Sequence, residues 1–590
     1  MVDHKNIPLI SRVNTQEDEN VNKRTLDSKA NKVKRIFSTI PIPRDSEKFP
    51  QLKLILILVA IQRFALFSVL NFQSDLIKTG LLGKICSRPN WTGQKDSTLT
   101  YAGSFLFAPI AGLLADWKFG RHRVFSFGLL MQFIGYSTLG IIFSNQIFNN
   151  ETNCIVFYVF YYLSLFSIVI GCSSFNTVII PYGVDQMREA SVITTIPSYF
   201  HWYYFFINLG SFLAFGSVEQ YTDTLVGRLW KISNIYVAII TSFIALLLFK
   251  IPSICGWLLP SPPQGNPVGK IYGVVRNAIG NRIEKHNQID IYQTKRTTLD
   301  YAKRSNGGKF TFERVEDVKT FFSMILVLIS LSLYFSEEYL FVYFYSLQAD
   351  GFLYTYRSPA PILISKIGSL TSMIFIVLLE YTTLGRKLYR VLPRILHRFL
   401  LGFPLAILSL LFATILEYIH KAPCIAASLH TNATSALPTL TTGHDYLAYL
   451  QVIQYILLSL SEVFVTVGSI EWVYAQSPEY LRAFTYGIFE SIIGCGTLIP
   501  FIVSLFVNFL TCGGIVEEGS SMGVGCPGCW NYNFVCVENR YCYSTEYFFT
   551  LLLVASFVSL VIFFLISCWY KPRMRQKIRG FQSFSSANDI

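Results

Sequence analysis

Residues 98–143 read TLTYAGSFLFAPIAGLLADWKFGRHRVFSFGLLMQFIGYSTLGIIF: an apolar run, a short charged turn and a second apolar run. Each run holds about 18 or more residues, the length a helix needs to cross ~30 Å of hydrocarbon. The charges are collected in the turn, as Asp116, Lys118, Arg121 and Arg123. Such a pair of runs is a membrane-spanning helical hairpin.

The pattern continues outward in both directions. Hydrophobic residues make up 52% of the 590, charged residues only 14%, and Phe occurs 50 times. A soluble domain needs roughly a quarter of its residues charged to cover its surface, so the chain is an integral membrane protein. Twelve spans are expected, at 52–70, 98–115, 123–143, 155–177, 199–217 and 233–251, then 319–345, 360–381, 395–418, 446–474, 484–510 and 546–570. A polar stretch, 252–318, divides them six and six. It opens with Pro260, Pro262, Pro263 and Pro267 and continues into an amphipathic segment. There Val268, Ile271, Val274, Val275, Ala278 and Ile279 recur at nearly helical spacing, as in a helix lying on a membrane surface. The expected organisation is a disordered cytosolic tail (1–50), an N-terminal six-helix half (51–251), a linker (252–318), a C-terminal six-helix half (319–570) and a basic cytosolic tail (571–590). No cleavable signal peptide is expected before the first span.

The net charge of +13 could suggest nucleic acid, but its distribution indicates orientation instead. Of the 49 Lys and Arg, 38 fall in loops or at span ends on the side of the termini and 9 on the other, with Arg63 and Lys366 further inside spans. The positive-inside rule then places both termini in the cytosol. Three sequons, at Asn90, Asn150 and Asn432, all fall in loops on the opposite, glycosylating side. Eight of the twelve cysteines share that side: Cys86, Cys154, Cys424, Cys512, Cys526, Cys529, Cys536 and Cys542. Five of these crowd the loop 511–545. Cys526-Pro-Gly-Cys529 has spacing suited to zinc or redox chemistry, yet lacks a thioredoxin-like context; a disulfide-stapled lumenal loop is the preferred reading.

Gly112-Leu113-Leu114-Ala115-Asp116-Trp117-Lys118-Phe119-Gly120-Arg121-His122-Arg123 resembles the loop motif of the major facilitator superfamily, G-x-L-x-D-x-x-G-R-x-R. In that motif the carboxylate, here Asp116, accepts from the N-terminal amides of a neighbouring helix in one state and releases them in the other. Arg121 and Arg123 hold the turn. Further segments are similar to the proton-dependent oligopeptide transporters of solute carrier family 15. They are Ile180-Pro181-Tyr182-Gly183-Val184-Asp185-Gln186, Phe206-Ile207-Asn208-Leu209-Gly210-Ser211, Ser461-Glu462-Val463-Phe464 and Tyr474-Ala475-Gln476-Ser477-Pro478. Gly307-Gly308-Lys309-Phe310-Thr311 looks most like the peptide/histidine branch. The resemblance covers roughly residues 50 to 575 and implies an all-α major facilitator fold, with substrate held between two rocking halves.

The departures from the family pattern are specific. The family's span 1 carries E-x-x-E-R for proton coupling, whereas this chain has Val59-Ala60-Ile61-Gln62-Arg63. The span-4 lysine that meets the peptide carboxylate falls on Asn176, and a span-7 arginine of intestinal-type relatives falls near Phe341. A charge at midbilayer costs several kcal/mol unless paired or wet, so the remaining ones carry information. The resemblance implies that Arg63 meets the anionic end of the substrate and Glu462 its amino end. Asn176 and Tyr334 are the other candidate substrate contacts, with Tyr203 and Tyr474 as further lining aromatics. Glu471, nine residues beyond Glu462, points to the opposite helix face and is expected to pair near the cytosolic end. Glu337 and Glu338 are peculiar to this chain. They diverge by about 100° on a helix, so at most one faces the pathway; otherwise they sit wet at the lumenal edge. With Glu462 they are the proton-coupling candidates. Glu490 suits a local or a functional role equally, and Glu380, Glu417 and Lys366 lie near span ends.

No phosphate-binding loop and no metal-ligand spacing is found, so neither an enzyme nor an ATP-driven pump is expected. The function expected is secondary active transport of small peptides or histidine-like amino acids, with the proton as coupling ion and no other cofactor. The alternatives are a non-transporting membrane scaffold or sensor, motivated by Val59, Gln62 and Asn176, and transport of another small organic solute. Expected partners are the substrate, membrane lipid and a cytosolic adaptor protein, with no nucleic acid. The peptide/histidine resemblance implies an endolysosomal membrane.

Overall fold

The computed structural model describes residues 50–78, 91–148, 154–187, 192–215, 225–286, 297–340, 344–352, 360–382, 395–430, 445–512 and 544–570. The sequons Asn90, Asn150 and Asn432, the terminal tails, Phe341 and most of the cysteine-rich loop lie outside them.

Seventeen α-helices make up the described chain. The first half comprises α1 (Pro50–Lys78), α2 (Trp91–Leu106), α3 (Ala108–Leu114), α4 (Arg121–Phe148), α5 (Cys154–Asp185), α6 (Val192–Phe215) and α7 (Leu225–Ile254). The linker carries α8 (Pro267–His286). The second half comprises α9 (Phe312–Ser330), α10 (Ser332–Tyr339), α11 (Tyr345–Phe352), α12 (Ala360–Tyr381), α13 (Ile395–His430), α14 (Asp445–Leu450), α15 (Val452–Gln476), α16 (Arg482–Cys512) and α17 (Ser544–Trp569). Among the described residues, every expected span falls on one to three consecutive helices. Among the described residues nine helices are long and apolar enough to cross a membrane by themselves, and α9 with α10 forms a tenth, bent span. The bundle is helical because hydrocarbon offers backbone groups no other partner. Its outside is apolar accordingly: Ile155, Val159 and Leu163 on α5 and Val554, Val561 and Leu565 on α17 are more than half exposed.

Two breaks shape the interior. The second span hands over from α2 to α3 at Phe107, next to Pro109, which has no N–H to continue the ladder. The seventh was expected at 319–345; it begins at Phe312 and bends by 44° at Leu331. Ser330, Ser332 and Ser336 turn their hydroxyls back onto the carbonyls of Val327, Ile329 and Leu333. Such bonds compete with the backbone ladder and favour bending.

The amphipathic linker segment is a helix with two apolar aspects. Val274 and Ala278 pack on Val315, Val318 and Ala302, joining α8 to the start of α9. Val268, Tyr272, Ile279 and Ile283 stay exposed along another face. The halves meet along α16 against α2 and α3, and along α6 against α12 and α15.

Candidate functional site

The charged turn of residues 115–120 is a lock at the linker end of the bundle. Ala115–Phe119 forms a widened helical turn that swings Asp116 inward, leaving it 1% exposed. Its Oδ2 accepts from the Phe484 N–H at 2.9 Å, in the first turn of α16. Asp116 thereby joins the N-terminal half to the positive end of a C-half helix. Arg121 donates from Nη2 to Asp116 Oδ1 at 3.2 Å and from Nη1 to both oxygens of Asp185 at 2.8 and 2.9 Å. It also reaches the Glu479 carbonyl at 3.3 Å, across the halves. Gly112 allows this approach: a Cβ there would lie 2.3 Å from the Ala483 carbonyl oxygen. Gly120 has φ +81°, and a Cβ on it would strike Ser261 at 2.3 Å. Ser261 belongs to a strap from the linker. Its hydroxyl donates to Asp185 at 2.9 Å, the Gln264 N–H donates to the Asp116 carbonyl at 2.7 Å, and Gln186 exchanges two hydrogen bonds with Leu259. Arg123, by contrast, is exposed.

A second closure at the same end has no counterpart in the sequence reading. His201 on α6 pairs with Glu380 on α12, and Ser198 donates to the same carboxylate at 3.0 Å. Glu471 pairs with Arg398 at 2.8 Å, on the helix face away from Glu462 as its spacing implied. Toward the other end, the Tyr339 hydroxyl donates to Thr98 at 2.7 Å and its ring stacks on Tyr101.

Between the halves lies a cavity. The N-half contributes Arg63 from α1, Tyr101 and Phe105 from α2, and Tyr203, Tyr204 and Asn208 from α6; the C-half contributes Glu338 from α10, Glu462 and Thr466 from α15, and Glu490 from α16. The Tyr204 hydroxyl donates to Glu462 Oε2 at 2.8 Å, the one direct hydrogen bond found between these cavity groups across the halves. Arg63 lies over the Phe105 ring at 5.7 Å. It lines the same cavity as Glu338 and Glu490.

The structure thus brings Arg63, Glu338 and Glu462 to one cavity and leaves other candidates outside its wall. Asn176 is fully buried in α5, and neither side-chain amide atom has a hydrogen-bond partner in the structure. The Tyr334 hydroxyl meets Ser461 at 3.0 Å, and Tyr474 stacks under Arg482 at 4.5 Å. Glu337 is 1% exposed and turned away, accepting from Ser556 of α17 at 2.5 Å. Val59 and Gln62, where the family pattern has carboxylates, are buried; Gln62 reaches Cys172 at 3.5 Å. Sequence reasoning passed over Tyr101, Tyr204 and Asn208. Asn208 lay inside a quoted segment, but the two tyrosines gave no signal among 34.

Comparison with known proteins agrees with this geometry. A POT family model matches residues 122–515. Mouse solute carrier family 15 member 3 is 24% identical over 541 residues, covering 82% of this chain and 86% of that protein. NRT1/PTR FAMILY 6.2 of Arabidopsis thaliana is 23% identical, with the same coverage. Among solved structures, the POT family transporter PepTSo superposes with a TM-score of 0.60 at 16% identity, covering 88% of this chain and 98% of that one. An auto-inhibited POT family peptide transporter gives 0.58 at 16%, covering 89% and 98%. These likenesses show the major facilitator type of fold. With the family model spanning most of the chain, this multi-pass membrane protein belongs to the POT family of transporters and is not an enzyme.

Proposed function

We propose that the protein is a proton-coupled secondary transporter of small peptides or histidine-like amino acids, working by alternating access. The observation that carries this is the cavity between the halves, with Arg63 on one wall and Glu338, Glu462 and Glu490 on the other. Opposed charges of this kind suit a zwitterion, whose anionic end meets Arg63 and whose amino end meets Glu462. Tyr101, Tyr203 and Tyr204 supply the apolar and hydroxyl surface between them. Coupling needs a group whose proton occupancy differs between two states. Glu338 suits it: the residue lines the same cavity as Arg63, and its Oε2 has no hydrogen-bond partner in the structure. The turn of Gly112, Asp116, Gly120 and Arg121 then serves as the gate at the linker end, with His201–Glu380 as its counterpart between α6 and α12.

The likeness to the auto-inhibited POT family peptide transporter supports this reading. We place both termini in the cytosol, on the charge distribution along the chain, and the protein in endolysosomal membranes, on the peptide/histidine-like segment before α9. The cavity favours transport over a scaffold role, because a scaffold has no use for unpaired charges at its centre. The deciding experiment is uptake of labelled histidine and dipeptides into vesicles containing the full chain, with an imposed pH gradient. Acid on the lumenal face should accelerate uptake. A clear substrate signal that ignores pH between about 5 and 8 would sink proton coupling and leave transport intact.

A further inference from the structure

The charges facing the cavity do not balance. Arg63 is the single cation on its wall, and Glu338, Glu462 and Glu490 are three carboxyl groups; no Lys or His lines it among the described residues. The other titratable side chains there, Tyr101, Tyr203 and Tyr204, are phenols and carry no positive charge. Nor are the carboxylates answered from behind. Glu462 takes one hydroxyl from Tyr204, whereas Glu490 is 4% exposed and has no hydrogen bond or ion pair among the described residues. Arg63 forms no direct ion pair with any of the three among those residues. The surrounding polar groups do not compensate, since the hydroxyls of Ser369 and Thr466 in the same wall have no hydrogen-bond partner in the structure. The carboxylates are also not disposed to share a metal ion, as no described group of three or more His, Cys, Asp or Glu could hold one.

Removed from water, carboxylates in excess of their counter-ion must be neutralised by protons or by a cationic ligand. With two in excess, a single coupling proton still leaves one unanswered. We infer that the cavity selects substrates of net positive charge: a peptide or amino acid carrying a basic group in addition to its amino and carboxyl ends. This rests on the transport reading above and narrows it. Arg63 and Glu462 take the two ends of the backbone, and the extra cation lies toward Glu338 and Glu490. An anionic substrate would add charge of the sign already in excess. A cationic substrate also stands in for a proton, so its uptake should depend less steeply on pH than that of a neutral peptide.

The test uses the full chain in liposomes and counterflow exchange of three labelled dipeptides with one common residue: alanyl-lysine, alanyl-alanine and alanyl-glutamate, of charge near +1, 0 and −1 at pH 7.5. Half-saturating concentration should rise in that order, on the order of tenfold per unit of charge for interactions of this range in a partly wet protein interior. Glu490→Gln should narrow the step between the lysine and alanine peptides to a few-fold, and Arg63→Gln should widen it. Equal affinity for all three, or preference for the anionic peptide, overturns the inference while exchange itself upholds the transport reading. Exchange of none of them, from vesicles holding folded protein by size exclusion, defeats the transport reading and the inference together. The series on the unaltered chain decides the matter even if a variant fails to fold.

Discussion

The linker end and the central cavity treat buried charge in opposite ways. At the linker end Asp116 is held by Arg121 and the Phe484 amide, Arg121 by Asp116 and Asp185, Glu380 by His201, and Glu471 by Arg398. Of the cavity carboxyl groups, only Glu462 has a direct hydrogen-bond partner among the described residues, the Tyr204 hydroxyl, while Glu338 and Glu490 line the cavity without one. A buried charge held by a built-in partner is committed to shape, and removing that partner leaves the other charge uncompensated. One without a partner is open to a proton or a ligand. The same residue types therefore serve as lock at one level of the bundle and as reception site at the other.

The comparison breaks most visibly at Arg121. Arg121→Ala strands Asp116 and Asp185 and should cost ~3–5 kcal/mol, read as loss of folded protein in size exclusion and a lowered melting temperature. If the variant melts like the parent, the lock is not held by charge. Glu462→Gln should leave stability nearly unchanged yet weaken substrates with a free amino group by roughly tenfold or more, the ~1.5–3 kcal/mol of a charged hydrogen bond. Blocking that amine on the substrate should remove the difference; a loss that persists with blocked substrates assigns Glu462 to structure.

Gly112→Leu places side chain where the Ala483 carbonyl sits and should disfavour closure at the linker end by ~1–3 kcal/mol. Spin labels at the exposed Phe119 and Phe312 should then report a longer distance. An unchanged distance would mean that the close approach is not specific to the closed state.

A subtler contrast lies between neighbours. Glu338→Gln should flatten the pH dependence of uptake, spare counterflow exchange, which moves no net proton, and shift stability by less than about 1 kcal/mol. Glu337→Gln keeps an acceptor for Ser556 and should leave the pH profile as it was. The reverse pattern would move the proton site to the face against α17.

The smallest effect is expected in the linker, where Asp300 meets Lys303 at 2.5 Å and Lys319 at 2.6 Å. Burial alone would raise the Asp300 carboxyl, but hydrogen bonds from Lys303, Lys319 and Thr297 outweigh it and hold it below the usual range. A depressed carboxylate stabilises the fold above its unfolded pKa, about 3.9, and that contribution fades as pH falls through the lower, folded value. Hydrogen exchange over residues 298–310 should thus match at pH 7.5 and 5 after correction for intrinsic rates. Asp300→Asn should loosen the segment equally at both pH values, by less than ~1 kcal/mol. Loosening of the parent at pH 5 would show that another group holds the linker.

The order of the apolar helices could be read from the chain alone. Hydrocarbon thickness imposes a minimum apolar length on each helix, and that length is a local property. The opposed faces of Glu462 and Glu471 were legible for the same reason, because nine residues on one helix fix a rotation. The distinction between Glu337 and Glu338 was not. Their facing depends on the 44° bend at Leu331, which sets the direction of the next turn, and on α17 lying where Ser556 can take Glu337. Tyr334 and Asn176 fell outside the wall because residues on a pore-facing helix can still point into its own half. The pair of His201 with Glu380 joins residues 179 apart, and Glu490 reaches the cavity only because α16 packs along α2 and α3. Local physics determined which segments cross the membrane; the packing of one half on the other decided which charges meet a partner there and which are left facing the cavity.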